Sequence, residues 1–74
     1  MIEKVREILK QYTEVDKDCI TEEANLQNDL GLNSLDVINI IVDFEDAYNI
    51  SIPDEEVRNM LTVKDIMNYL STHI

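Results

Sequence analysis

The chain predicts an all-α fold: a four-helix bundle of three longer helices and one short one, with a long loop between the first two helices. Three observations carry this expectation. Apolar residues recur at helical spacing in three separate stretches. Its 74 residues supply one apolar core and leave no room for a second, so residues 1–74 read as a single domain. A lone cysteine, Cys19, and the lack of any Cys/His ligand spacing remove disulfide and metal staples, which leaves helix packing to hold the chain together.

Ile2, Val5, Leu9 and Tyr12, with Ile8 beside them, make the first apolar stripe. The connection from about Thr13 to Leu32 has no helical period, but Ile20, Ala24, Leu26 and Leu30 can anchor it to the core. Val37, Ile40, Ile41, Phe44 and Tyr48 then fit the helical template without a miss. Asn33 is a suitable N-cap for that helix, Asp36 stands at its third position, and Gly31 permits a left-handed turn just before it. Pro53 followed by Asp54-Glu55-Glu56 reads as the start of a short helix, with acids crowding the first turn, where the helix dipole favours them. Val63, Ile66, Met67, Leu70 and Ile74 form the last stripe, entered through Thr62 as N-cap with Asp65 three residues on.

The formal net charge is −10, with six Lys and Arg against sixteen Asp and Glu, which argues against a nucleic-acid partner. Four of the six bases lie within the first 17 residues, and from Asp18 to Val57 there are eleven acids and no Lys or Arg. That segment projects a negative field toward basic partners, although a merely soluble acidic surface carries the same signature. The N-terminal MIEKVREILK is charged and amphipathic, unlike a secretory leader, and no run is long enough to span a bilayer. The expectation is a cytoplasmic, monomeric protein without membrane insertion.

At about 100° per residue the second helix has two apolar faces. Val37, Ile40, Ile41, Phe44 and Tyr48 gather on one; Leu35, Ile38 and Val42 fall roughly opposite, interleaved with Asn39, Glu45 and Asp46. An apolar strip framed by acids suits docking of a basic, partly apolar partner, whereas burial of Leu35 and Ile38 under the long loop is the structural alternative. Ser34 lies in the first turn of this helix, where backbone N–H groups lack helical acceptors and an attached anion would be stabilised. A capping serine would occupy the same position.

Ser34 has no equipment for nucleophilic catalysis. The single imidazole, His73, is one residue from the C-terminus, and GLNSL lacks the second glycine and preceding strand of a nucleophile elbow. No calcium loop can be written on Asp16-Lys17-Asp18 or Asp54-Glu55-Glu56, so no metal site is expected. Cys19 reads as a packing or bystander residue, and Asn49-Ile50-Ser51 matches a glycosylation pattern by chance.

The array DLGLNSLD, followed by FEDAYNISIPDEEV and TVKDIMNYL, resembles acyl carrier proteins over essentially the whole chain. The resemblance implies a four-helix carrier in which Ser34 bears a 4′-phosphopantetheine arm, installed from coenzyme A by a phosphopantetheinyl transferase. It implies a non-catalytic protein that holds acyl groups as thioesters and delivers them to acyl-transfer, condensing and reducing enzymes with basic patches, in fatty-acid or related polyketide synthesis. Leu35, Asp36, Ile38, Val42, Glu45 and Asp46 would form the docking face, and Phe44, Ile52, Val57, Met60 and Ile66 would line an acyl cavity, though core packing accounts for these five equally. The family usually places Asp immediately before the serine. Asn33 stands there instead, which keeps the cap and removes a charge. Two other readings stay open: a carrier of aminoacyl or peptidyl groups, and an unmodified acidic helical module that only binds partners.

Overall fold

The computed structural model describes residues 2–74. Helix α1 spans Ile2–Lys10, α2 Ser34–Tyr48, α3 Asp54–Val57 and α4 Val63–His73, and a single 3₁₀ turn, Lys17–Cys19, interrupts the long connection. No strand is present among the described residues; their one bridge pairs Asn25 with Thr62.

Each longer helix is built around the expected stripe. Val5, Ile8 and Leu9 of α1, Val37, Ile40, Ile41 and Phe44 of α2, and Val63, Ile66 and Leu70 of α4 are buried in one cluster. Ile2, Tyr12, Tyr48 and Met67 pack at its margin. Ile74 departs from the pattern: α4 ends at His73, and Ile74 is exposed because the chain has run past the bundle.

The helix boundaries follow from local chemistry. The Asn33 side chain accepts from the Asp36 N–H at 2.8 Å while the Asp36 carboxylate accepts from the Asn33 N–H at 3.2 Å, a reciprocal capping box. Thr62 and Asp65 repeat the device at α4, at 3.2 and 3.1 Å. Asn49 ends α2 by turning left-handed, with φ 54°, and donating its N–H to the Glu45 carbonyl. This role absorbs the apparent glycosylation motif.

The long connection is ordered by burial and by hydrogen bonds rather than by repeating structure. Ile20, Ala24, Leu26, Leu30 and Leu32 are all buried. Arg6 of α1 donates through Nε to the Ile20 carbonyl at 2.8 Å, and the buried Thr13 hydroxyl donates to the Leu30 carbonyl at 2.7 Å. The middle of the connection pairs with the α3–α4 link: Leu26 N–H donates to Leu61 O, Val63 N–H to Ala24 O and Lys64 N–H to Glu22 O, at 2.8–3.1 Å. The loop is thereby fastened beside α3 and against the entrance of α2. None of the helices is long and apolar enough to cross a membrane among the described residues.

Candidate functional site

Ser34 is the first residue of α2 and is exposed. Gly31, at φ +71°, makes the left-handed turn that brings the chain into Asn33, whose extended backbone (φ −95°, ψ 177°) opens the helix. The cap satisfies the Asp36 N–H, and Val37 N–H donates to the Asn33 carbonyl, which leaves the N–H groups of Ser34 and Leu35 without an intrahelical acceptor. The Ser34 hydroxyl makes no hydrogen bond among the described residues. His73 lies at the far end of α4, stacked on Tyr69 with ring centroids 3.9 Å apart, and lines no pocket in common with Ser34. No base addresses the Ser34 hydroxyl, and what the site offers is an accessible oxygen at the positive end of a 15-residue helix.

Beside Ser34 opens a pocket of about 330 Å³ between α2, α3, the long connection at residues 25–28 and the α3–α4 link. Its apolar wall is Leu26, Val37, Val57 and Met60, and Ile38 and Leu61 stand at its edge.

The residues singled out from the sequence divide unevenly around this pocket. Val57 and Met60 line it. Phe44, Ile52 and Ile66 lie outside it: they are 0%, 6% and 0% exposed and belong to the close-packed core. Phe44 points into the bundle because it shares the α2 face of Ile40 and Ile41, which meets the other helices. Besides Ser34, Val37 and Ile38 of α2, the remaining lining comes from Leu26, Leu61 and the polar residues Asn25, Gln27, Asn28 and Arg58, all on aperiodic segments or at the end of α3. The adjacency of a polar loop to an apolar helix edge had no signature that periodicity could detect.

Leu35, Ile38 and Val42 are 65%, 54% and 47% exposed, so the loop does not cover this strip. Asp46 is exposed beside it, and Asp36 and Glu45 are half-buried. Both half-buried acids have structural work: Asp36 closes the capping box, and the Glu45 carboxylate accepts from the Ile52 N–H at 2.8 Å, holding the turn that leads to α3.

The model of the phosphopantetheine attachment site matches residues 3–70. This chain belongs to the phosphopantetheine-attachment family. Carriers of this family hold the cofactor covalently, as 4′-phosphopantetheine, and the chain is an acyl-carrier-type member by its relatives. It is 44% identical to the acyl carrier protein of Syntrophobacter fumaroxidans over 92% of this chain and 84% of that one. With the acyl carrier protein of Lactobacillus acidophilus it shares 39% identity over 95% of this chain and 88% of the relative. The solved acyl carrier protein of Enterococcus faecalis superposes with a TM-score of 0.85 at 25% identity, over 99% of this chain and 92% of that structure. The four-helix carrier fold expected from the sequence is the fold observed.

Proposed function

We propose that this carrier domain bears its 4′-phosphopantetheine on Ser34 and delivers acyl thioesters to enzymes of fatty-acid or related polyketide synthesis. The observation that carries the reading is the accessible, unengaged Ser34 hydroxyl at the α2 N-terminus, opening beside an apolar pocket. Ser34 Oγ forms a phosphoester with the pantetheine-bearing phosphorus of coenzyme A, the pyrophosphate bond breaks, and the adenosine bisphosphate half leaves; the transferase takes the hydroxyl proton. A missing internal base is therefore no defect. When bound, the arm supplies a thiol that holds the acyl group as a thioester.

The protein's own residues do the rest. The free N–H groups of Ser34 and Leu35 and the α2 dipole favour the phosphate at the attachment point. Leu26, Val37, Val57 and Met60 offer a dry wall for a short acyl chain, protecting it from water. Leu35, Ile38 and Val42, with Asp46 and the partly exposed Asp36 and Glu45, form the docking face for partners with basic patches. Exposed charges give fast, salt-sensitive association and ready release, which suits a domain that must visit several enzymes in turn.

The test is incubation with coenzyme A and a broad-range phosphopantetheinyl transferase, followed by intact-mass measurement. Wild type gains one phosphopantetheine and Ser34→Ala gains none. A gain that persists in Ser34→Ala would move the attachment elsewhere, and no gain with several transferases would leave an acidic module that only binds partners.

A further inference from the structure

The pocket beside Ser34 runs against the composition of the chain. Asp and Glu make up 16 of the 74 residues, yet none of the eleven residues lining the pocket is an acid. One is a base, Arg58, the first Lys or Arg in the sequence after Lys17. Three more, Asn25, Gln27 and Asn28, carry neutral amides.

The placement of Arg58 is not what its neighbours in sequence would dictate. Asp54 and Glu55 lie four and three residues before it, the spacings at which helical ion pairs form. No salt bridge links Arg58 to any acid among the described residues, where the one ion pair is Arg6 with Glu3. Its backbone N–H closes α3 on the Asp54 and Glu56 carbonyls, which fixes where the side chain begins, and Arg58 is one of the residues that line the Ser34 pocket. Arg58 is exposed, so its guanidinium stays hydrated and mobile enough to follow an anion.

We infer that Arg58 is the counter-ion of the phosphodiester that joins the arm to Ser34, a positioning residue that holds the root of the arm at the pocket mouth. The assignment rests on Ser34 being the attachment point. A guanidinium presents several N–H donors in a planar fork that matches phosphate oxygens, and the amides of Asn25 and Asn28 add neutral donors without adding repulsion. The Asn25 Oδ1 already accepts from the Gln27 and Asn28 N–H groups at 3.0 and 2.9 Å, so its NH₂ is the end left to donate outward. A phosphodiester elsewhere on the acidic Asp18–Val57 surface would meet like charge; here it meets none in the wall and one cation. Holding the root of the arm in this place directs the acyl group either along the apolar wall or out to a partner enzyme, and a pairing exposed to water is weak enough to be broken when the partner docks.

The experiment compares wild type, Arg58→Lys and Arg58→Gln, each converted with coenzyme A and transferase and checked by intact mass. The Arg58 Nε–H resonance and the phosphorus resonance of the diester are then followed by NMR at low and high salt. The expected result is a shift of the Arg58 Nε–H signal on going from the unmodified to the modified protein, diminished by salt. The phosphorus shift and linewidth of Arg58→Gln should differ from wild type at low salt and converge with it at high salt, with Arg58→Lys intermediate. An Arg58 Nε–H signal indifferent to modification, together with identical phosphorus spectra in all three proteins, overturns the inference. Failure of wild type to gain mass would instead overturn Ser34 as the attachment point, so the two ideas fail separately. Because the Arg58 side chain is exposed and α3 is closed by its backbone, the variants should fold, which circular dichroism checks.

Discussion

The phenol of Tyr12 donates a hydrogen bond to the carboxylate of Asp43, 31 residues away, tying the turn after α1 to the middle of α2. The hydrogen bond to Asp43, with smaller contributions from partial burial and from the negative charges of Asp43 and Asp36, raises the Tyr12 pKa above its ordinary 10.0. A raised pKa means that the protonated form is favoured in the folded state. Its contribution is therefore complete below about pH 10 and is lost as pH rises through the folded-state value. In denaturant titrations across the alkaline range, Tyr12→Phe should start less stable than wild type, and the gap should close above pH 10. A constant gap at every pH would mean that the tie does not depend on the phenolic proton.

Gly31 tests the turn before Ser34 in isolation. A Cβ added there meets nothing within 4 Å, so crowding is absent and only the left-handed backbone, at φ +71°, opposes a side chain. Gly31→Ala should lose about 1 kcal/mol in chemical unfolding. A neutral result would show that the turn can relax without its glycine.

Asn33 separates capping from charge. Asn33→Ala removes the acceptor for the Asp36 N–H and should cost about 1 kcal/mol of stability. Asn33→Asp keeps an equally good cap and should stay within about 0.5 kcal/mol of wild type, while changing the rate of modification by transferase. If the two variants lose equal stability, the capping box is not what holds the α2 entrance.

Glu45 and Asp46 are adjacent acids with different duties. Glu45→Ala strands the half-buried Ile52 N–H and should cost about 1 kcal/mol, visible in the melting temperature. Asp46→Ala, with its carboxylate exposed, should stay within about 0.5 kcal/mol. Asp46→Lys should reduce transferase kcat/KM at low salt more than at high salt, because the docking it disturbs is screened. Equal melting shifts for Glu45→Ala and Asp46→Ala would remove Glu45 from the turn.

Met60→Ala, at the pocket wall, and Phe44→Ala, in the core, should behave differently. Phe44 is wholly buried in the core, and its truncation should cost about 3–5 kcal/mol. Met60 is buried yet borders open space, so its loss should cost less, about 2 kcal/mol, and should widen the room available to a bound chain. Urea unfolding of both variants decides the order, and a greater loss at Met60 would place it in the core instead.

The helices, their buried faces and their caps can be read from the residues alone, because these are written in short-range chemistry. Apolar residues three and four apart share a helix face, and Asn33-Asp36 and Thr62-Asp65 complete their hydrogen bonds within a single turn. The motif around Ser34 was legible for the same reason, since glycine, cap and serine act within a few residues of one another. Which apolar residues meet across elements was settled by the three-dimensional packing. It sent Phe44, Ile52 and Ile66 to the core, left Ile74 outside it, and built the pocket from Leu26, Leu61 and Arg58 around Val37, Val57 and Met60. Loop residues have no period to reveal their neighbours, and their positions here come from backbone pairing between the long connection and the α3–α4 link, a contact between segments far apart in the chain.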